Sequence, residues 1–317
     1  MGEFDLIDRY FKRPAVRNAL GVGDDCALLA AAPGMQLAVS CDMLVEGRHF
    51  LSTVDAGRLG HKALAVNLSD LAACGARPLA FTLALSMPQA DEAWLAPFSR
   101  GLLALADEHR CELVGGDTTR GPLNICITAF GEIPAGAALL RSGAQAGDDL
   151  YASGTLGDAR MALEVFRGTL CVPADVFEAA RSRMEQPTPR VALGQALRGI
   201  ATSAIDVSDG LLGDLRHILQ QSGVGARLET SRAVGLMAAQ GVLDEARQLE
   251  YVLAGGDDYE LVFTAPAASR EAVQAAAREA CTPVTRIGRI EAEPGLRLVD
   301  GQGRPMRGQY GSFDHFA

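Results

Sequence analysis

The sequence predicts a two-domain α/β protein, and three observations lead to this class. The chain has 317 residues, which is long for one domain and ample for two with substantial cores. Short strand-like runs alternate with longer Ala- and Leu-rich segments in both halves. A small, Gly-rich and weakly periodic segment, PAGAALLRSGAQAG at 134–147, separates the halves. We therefore expect one domain at residues 1–137 and a second at residues 138–317.

The first half predicts strands and helices in mixed order. Short apolar or alternating runs indicate four strands, with the sequences QLAVSCD, LAFTLALSM, CELVGG and NICITAFGEI. Segments rich in Ala and Leu indicate helices at 58–75 and 90–109. Gly75 is well placed to end the first helix, and Pro97 leaves the start of the second open.

The second half also predicts alternating strands, Gly- and Asp-containing turns and helices. DLYASG predicts a strand, TLGDA a glycine turn and RMALEVF a helix. A further helix near 189–199 precedes TSAIDVSDGLLGDLRHILQQ, which predicts a strand, an acidic turn and a helix. YVLAGGDDYELVFTAP is apolar on both sides of its own acidic turn. The two halves share strands that end in Gly and Asp, but they contain no alignable repeat.

Composition excludes several classes of function. The net charge of −10 disfavours binding to bare nucleic acid, which depends on Lys and Arg neutralising phosphates. No apolar run approaches the roughly 20 residues that span a bilayer. The N-terminal residues lack a basic leader followed by an apolar stretch, so we expect a cytoplasmic protein without a secretory signal. The seven cysteines are odd in number, scattered and never spaced as CxxC, so we expect reduced thiols in the core or near the site.

Acidic residues recur at the ends of apolar strands or in the Gly-rich turns that follow them. Such recurrence suggests one shared site, formed by Asp24, Asp25, Asp42, Asp117, Asp206, Asp209, Asp257 and Asp258. The alternative is ordinary turn and helix-cap chemistry, in which Asp is common. We prefer that alternative for four other acids, namely Asp148, Asp149, Asp158 and Asp214.

Asp70 does not fit the turn explanation. Its segment, ALAVNLSDLAACGA, is apolar nearly all round as a helix, and an unpaired carboxylate buried there would be costly. Two carboxylates about 4 Å apart repel each other by about 4 kcal/mol at an effective dielectric constant near 20. A divalent cation removes this cost, and oxygen ligands without a His or Cys cluster select a hard cation such as Mg²⁺. The acids therefore predict magnesium and, through it, phosphate.

Familiar phosphate and calcium motifs are missing from the sequence. It contains no GxxxxGK[ST], and neither Lys12 nor Lys62 lies in a glycine loop, which excludes a P-loop and disfavours a protein kinase. GVGDDC lacks the third glycine of a dinucleotide fingerprint. DVSDGLLGDLRH has its acids at the wrong intervals for an EF-hand, and His217 stands where a bidentate Glu belongs. No GxSxG elbow is present.

Eight motifs together closely resemble the thiamine-monophosphate kinase family. In chain order they are GVGDDCALL, SCDMLVEGRHF, NLSDLAACGARP, LVGGDTTRGPL, LLRSGAQAGD, IDVSDGL, GGDDYEL and the terminal FDHFA. The resemblance runs from about residue 3 to residue 316. It implies an ATP-binding fold shared with aminoimidazole ribonucleotide synthetase, selenophosphate synthetase and a hydrogenase-maturation protein.

The resemblance also implies an architecture and a reaction. The N-terminal α/β domain would pair its mixed sheet with that of a second subunit in a barrel-like homodimer, beside a C-terminal α/β domain. ATP would donate its γ-phosphoryl group to thiamine monophosphate, giving thiamine diphosphate and ADP, with several Mg²⁺ ions.

Site residues carry over from the family motif by motif. The magnesium ligands would be Asp25, Asp42, Asp70, Asp117, Asp206 and Asp209, with oxygens of Ser40 and Cys41. ATP contacts would fall on Gly116, Asp117, Arg141 and Ser208. Substrate contacts would fall on His49, Asp257 and Phe313.

Two of these positions depart from the family pattern. Family members commonly have Glu where this chain has Asp257, so the carboxylate is one methylene shorter. Many have a hydroxyl residue where this chain has Cys41, so a metal ligand there is expected to be the backbone carbonyl.

Other interpretations stay open at three further positions. His49 is also compatible with a turn or packing role, Arg141 with a solvated charge, and Phe313 with docking of the C-terminus. Rival functions are another ATP-using synthetase of the superfamily, a non-catalytic Mg-nucleotide binding module and a metal-dependent phosphohydrolase.

Overall fold

The computed structural model describes residues 3–14, 16, 22, 26–306 and 310. The chain divides into two compact units. The first is Met1–Leu71 with Ala76–Gly136, and the second is Ala72–Gly75 with Ala137–Ala317. Each unit has one sheet with helices, which confirms the predicted α/β class.

The first unit is built on a four-stranded sheet in the order β1-β4-β2-β3. Strand β4 runs antiparallel to both β1 and β2, whereas β2 and β3 are parallel. The strands are β1 (Met35–Val45), β2 (Arg77–Met87), β3 (Glu112–Arg120) and β4 (Asn124–Pro134). The helices are α1 (Glu3–Tyr10), α2 (Ala56–Ala73) and α3 (Glu92–Glu108).

All four predicted strands and both predicted helices of this unit are present. Helix α2 is buried on nearly all sides, as its apolar sequence predicts. Gly75 follows it with a φ of +71°, the left-handed conformation that ends helices and favours glycine. Helix α3 starts after Asp91, whose side chain accepts a hydrogen bond from the Ala93 N–H at 2.9 Å, and Pro97 lies inside the helix.

The second unit contains a six-stranded sheet in the order β10-β7-β9-β5-β8-β6. Its strands are β5 (Asp149–Ser153), β6 (Ser203–Asp206), β7 (Gly225–Glu229), β8 (Leu261–Ala265), β9 (Val284–Glu291) and β10 (Gly295–Val299). Its helices are α4 (Asp158–Phe166), α5 (Ala174–Glu185), α6 (Val191–Ala196), α7 (Leu211–Ser222), α8 (Thr230–Ala233), α9 (Glu245–Ala254) and α10 (Arg270–Glu279).

The predicted order of strand, turn and helix is confirmed at DLYASG–RMALEVF and at the IDVSDGL motif. The helix predicted near 189–199 is shorter, because it begins after Pro189 and Arg190, and Gly199 beyond it has a φ of +75°. β8 and α9 flank the acidic GGDD turn, so one apolar side of that segment is a helix and the other a strand.

The cysteines correct one sequence-based expectation. All seven are free, as predicted, but only Cys111 is buried, and Cys26, Cys41, Cys171 and Cys281 are exposed. Cys26 and Cys41 adjoin predicted site residues, as the expectation allows, whereas the exposed Cys171 and Cys281 do not belong to the core. Cys41 is exposed because it alternates onto the open face of β1, although the strand around it is apolar. Among the helices that the structure describes, none has the length and hydropathy of a membrane span.

Candidate functional site

Strand β1 presents different side chains on its two faces. Ser40 and Asp42 are half-buried on one face, whereas Leu37, Val39, Cys41 and Met43 are exposed on the other. The Cys41 thiol therefore points away from the face that carries Asp42. This alternation agrees with the expectation that any metal contact at Cys41 comes from the backbone carbonyl.

Helix α2 joins β1 through two polar side chains spaced three residues apart, so that they share one helix face. The Asn67 Oδ1 accepts a hydrogen bond from the Asp42 N–H at 3.1 Å, and Asn67 Nδ2 donates to the Ala63 carbonyl at 3.1 Å. The Ser40 hydroxyl donates to Asp70 Oδ2. The structure thus brings Ser40, Asp42 and Asp70 together on the helix-covered face of the sheet.

This arrangement is electrostatically costly without a cation. Burial, and then the neighbouring Asp70 carboxylate, raise the pKa of Asp42 to about 7. A hydroxyl and two carboxylates make an all-oxygen donor set, which fits a hard divalent cation such as Mg²⁺. Within the described residues no group of three or more His, Cys, Asp or Glu side chains forms a metal site. Two carboxylates are sufficient for Mg²⁺, because it commonly keeps waters and takes phosphate oxygens from its substrate.

Asp117 and Gly116 lie on β3, at the opposite edge of the sheet from β1. Both are exposed on β3, and β4 and β2 separate them from Asp42. Gly116 has a φ of +149°, and a Cβ there would overlap the Leu83 carbonyl oxygen of β2. Glycine is therefore required by the close approach of the two strands. Asp25 of the same predicted ligand set is outside the described residues, as is Asp24.

His49 closes a tight turn at the end of β1. The backbone N–H of His49 donates to the Val45 carbonyl at 3.0 Å. The ring Nδ1 of His49 accepts from the backbone N–H of Val45 at 2.9 Å. This bond assigns the proton of the neutral imidazole to Nε2. The buried Lys62 Nζ lies 3.5 Å from the His49 carbonyl oxygen. His49 thus stabilises the turn, and the hydrogen bond to Nδ1 fixes the orientation and the tautomer of its ring.

The second unit carries the other acidic motifs at the end of β6. Asp206 is its last residue and is buried, while Ser208 and Asp209 follow in the turn before α7. Asp214 holds this turn, since its Oδ2 accepts from the Ser208 N–H at 3.1 Å and from the Asp209 N–H at 3.0 Å. Burial raises the pKa of Asp214 to about 7, and the nearby Asp209 carboxylate adds to the shift, whereas three backbone N–H groups, those of Asp209, Ser208 and Gly210, stabilise the charged form.

The GGDD turn packs directly against this segment. The Asp257 N–H donates to the Ser208 carbonyl at 2.8 Å, and the Tyr259 N–H donates to the Val207 carbonyl at 2.9 Å. Gly256 has a φ of +75°, and a Cβ there would come within 2.6 Å of the Ser208 carbonyl oxygen. The structure therefore brings the half-buried Asp257 beside the DVSD motif.

Two other predicted contacts are placed differently. Arg141 is exposed, and its segment runs beside β6, where the Leu140 carbonyl accepts from the Ala204 N–H at 2.9 Å. Its own carbonyl accepts from the Ser222 hydroxyl at 3.3 Å. Phe313 is outside the described residues.

Of the four acids assigned to turn and cap chemistry, three accept hydrogen bonds from backbone N–H groups, whereas Asp149 is instead paired with arginine side chains. Asp148 accepts from the Gln145 N–H at 3.0 Å, Asp158 from the Ala239 N–H at 3.2 Å, and Asp149 from two arginines. Asp214 supports the turn at Ser208 and Asp209, which agrees with its assignment to turn chemistry. Sequence reasoning did not identify the two N–H groups that it binds. It also missed Asn67, whose available signal was its spacing of three residues from Asp70 on an otherwise apolar helix.

The chain is similar to known proteins along its whole length. Residues 23–133 match the model of the AIR synthase related protein N-terminal domain, and residues 145–301 match that of the C-terminal domain. The thiamine-monophosphate kinase of Salmonella typhimurium is 46% identical, over 100% of this chain and 98% of that protein. The crystal structure of thiamine-monophosphate kinase from Stenotrophomonas maltophilia K279a has a TM-score of 0.83 at 46% identity, covering 89% of this chain and 90% of that one. The structure of AaThiL complexed with AMPPCP and TMP has a TM-score of 0.75 at 28% identity, covering 90% and 89%.

Proposed function

The chain belongs to the AIR synthase related proteins and, among them, to the thiamine-monophosphate kinases, and from this membership we propose the reaction that it catalyses. ATP and thiamine monophosphate are converted to ADP and thiamine diphosphate. The terminal phosphate of ATP forms a bond to the phosphate of thiamine monophosphate as its bond to ADP breaks. The observation that carries this proposal is full-length similarity to kinases of that name, in a chain that places Asp42 and Asp70 together.

The residue roles follow the motifs. Asp42 and Asp70 bind magnesium with oxygens of Ser40 and Cys41, and the motifs assign Asp25, Asp117, Asp206 and Asp209 as further magnesium ligands. Gly116, Asp117, Arg141 and Ser208 contact ATP, and His49, Asp257 and Phe313 contact thiamine monophosphate. Two features support these roles: the raised pKa of Asp42, and the packing of Asp257 against Ser208.

The chemistry requires positioning more than covalent help from the protein. Bound Mg²⁺ would neutralise the charge that develops on the transferring phosphoryl group. The carboxylates of Asp42 and Asp70 would hold the Mg²⁺, and Asn67 fixes β1 through the Asp42 N–H. A phosphate monoester is already nucleophilic at neutral pH, so this mechanism needs no dedicated general base. The Nε2–H of His49 is suited to donate a hydrogen bond to the acceptor substrate.

A homodimer is part of the proposal. The side chains of Leu37, Val39 and Met43 are 45%, 61% and 53% exposed on the face of β1 that the helices leave open. Cys126, Thr128 and Phe130 of β4 continue this face and are half-buried. A row of exposed apolar side chains on an edge strand favours burial by a partner. A second copy of the sheet supplies that cover and closes the barrel-like interface that the family resemblance implies.

The experiment is a product assay with purified protein, Mg²⁺, ATP and thiamine monophosphate, resolved by chromatography. We expect thiamine diphosphate and ADP in equal amounts, no product with a chelator, and a loss of about 100-fold or more in turnover for Asp70→Asn. Full turnover and magnesium dependence in that variant would refute the metal assignment.

The same assay separates the rivals. A phosphohydrolase would release phosphate from thiamine monophosphate without nucleotide. A binding module would bind ATP without forming ADP. Another synthetase of the superfamily would leave thiamine monophosphate unchanged.

A further inference from the structure

Next to Asp257 lies a buried ionic cluster that the proposed reaction does not use. Glu260 is fully buried, and its carboxylate accepts from two arginines and one hydroxyl. Arg190 binds it in a bidentate manner, with Nε–Oε2 at 2.6 Å and Nη2–Oε1 at 2.5 Å. Arg183 Nη2 donates to Oε1 at 2.6 Å, and the Ser153 hydroxyl donates to Oε2 at 2.6 Å.

The surrounding chain is shaped to hold this carboxylate. A Cβ on Gly154 would overlap the Glu260 carboxylate, so glycine is needed there. Arg183 lies on α5 and Arg190 directly precedes α6, so the end of α5 and the connector to α6 both bind Glu260. Planar bidentate pairing to a carboxylate gives geometric specificity that a lysine does not provide.

The loop between α9 and β8 adopts a strained backbone. Asp257 has a φ of +65° and Tyr259 a φ of +52°, and neither is a glycine. Left-handed conformations of such residues are unfavourable, and they persist only where the surrounding structure imposes them. Backbone strain of this kind needs anchors on both sides.

Residues alternate along this loop. Asp258 and Glu260 are buried, whereas Asp257 and Tyr259 between and beside them are half-buried. The Asp258 Oδ2 accepts from the Gly157 N–H at 2.9 Å, and the Glu260 carbonyl accepts from the Val207 N–H at 2.8 Å. The inward pair therefore fixes the direction of the outward pair.

We infer that Glu260, clamped by Arg183 and Arg190, is a positioning residue that aims the Asp257 carboxylate at the acceptor substrate. This inference rests on the proposed function, since it assigns Asp257 to thiamine monophosphate. Glu260 does not touch the substrate. It acts by holding Asp257 in its left-handed conformation against Ser208.

The test is calorimetric titration of the full chain with thiamine monophosphate and, separately, with a non-hydrolysable ATP analogue. Glu260→Gln keeps the shape of the side chain and removes the charge that the two arginines bind. We expect it to weaken binding of thiamine monophosphate by about tenfold and binding of the ATP analogue far less. Arg183→Lys, a milder change at the edge of the cluster, should shift the same affinity in the same direction if Glu260→Gln fails to fold.

A double-mutant cycle separates positioning from a general loss of stability. In an Asp257→Ala background, Glu260→Gln should weaken thiamine monophosphate binding no further, because the carboxylate that it aims is already absent. Asp149→Asn is the matched control. It removes another buried carboxylate, which lies on β5 of the same unit and is held by two arginines, Arg270 and Arg286. It should lower the melting temperature without changing either affinity.

Three results would overturn the inference. The first is Glu260→Gln and Arg183→Lys both lowering the melting temperature while the affinity for thiamine monophosphate stays unchanged. The second is Asp149→Asn weakening that affinity by the same factor. The third is a wild-type chain that binds the ATP analogue and not thiamine monophosphate, which would refute the proposed function as well.

Discussion

At the scale of single residues, Asp258 shows how a buried acid affects stability. It is 2% exposed, and its one described hydrogen bond comes from the Gly157 N–H at 2.9 Å. Burial raises the pKa of Asp258 well above its ordinary value, and the nearby Asp158 carboxylate adds to the shift. The unfolded chain releases the same proton near pH 4.

We predict that Asp258→Asn stabilises the protein at pH 7.5 and not at pH 4. Because the folded pKa is raised, the unfolded state binds fewer protons above about pH 4, and the free energy of unfolding of the wild type falls as pH rises from there. The amide keeps the acceptor for the Gly157 N–H and removes the ionisation. Denaturant unfolding at the two pH values measures the difference.

Asp300→Asn is the control of opposite sign. Hydrogen bonds from the backbone and side chain of Arg304 lower the pKa of Asp300, so its carboxylate stabilises the folded state above the unfolded pKa. This variant should lose stability at pH 7.5. A loss at pH 7.5 in Asp258→Asn would contradict the raised pKa of its carboxyl group.

At the scale of elements, α2 and α3 approach each other through glycines. A Cβ on Gly60 would overlap the Phe98 carbonyl oxygen, and a Cβ on Gly101 would overlap the Gly57 carbonyl oxygen. Both obstacles are backbone atoms, which cannot rotate away as a side chain can. Close packing of these helices therefore fixes the position of α2, the element that carries Asn67 and Asp70.

We predict that Gly60→Ala lowers the free energy of unfolding by about 1–3 kcal/mol, because overpacking exceeds the gain of about 1 kcal/mol in helix propensity. Thermal unfolding measures the change. Gly235→Ala is the control, since its Cβ meets no atom within 4 Å and its φ is not in the left-handed region. An unchanged or raised melting temperature in Gly60→Ala would show that the two helices separate without cost.

The elements also show what sequence can predict. Strands β1 and β6, helix α2 and the acids on or after them follow from local periodicity and turn chemistry, which depend on neighbouring residues. The partners of those acids do not follow, because they lie far along the chain. Ser40 and Asp70 are 30 residues apart, and Arg190 and Glu260 are 70 apart. Only the packing of elements decides these contacts. The same packing places Asp117 on the strand at the opposite edge of the sheet from Asp42.

At the scale of the whole molecule, the open face of β1 and β4 should determine the oligomeric state. We predict that Val39→Glu converts a homodimer to a monomer, because a charge at the centre of an apolar interface is desolvated without a partner. Sedimentation velocity measures the change in mass. Leu140→Glu is the control, since Leu140 is 55% exposed but lies outside this face. A Val39→Glu variant with the mass of the wild type would refute the proposed interface.

The central claim is direct transfer of a phosphoryl group from ATP to thiamine monophosphate on a magnesium site built by Asp42 and Asp70. The most direct measurement uses ATP labelled in its γ-phosphate, with Mg²⁺ and thiamine monophosphate, and locates the label after turnover. We predict that one label enters the terminal phosphate of thiamine diphosphate for each ADP formed, and that Asp70→Asn abolishes the transfer. Label recovered as inorganic phosphate, with thiamine monophosphate unchanged, would contradict the account.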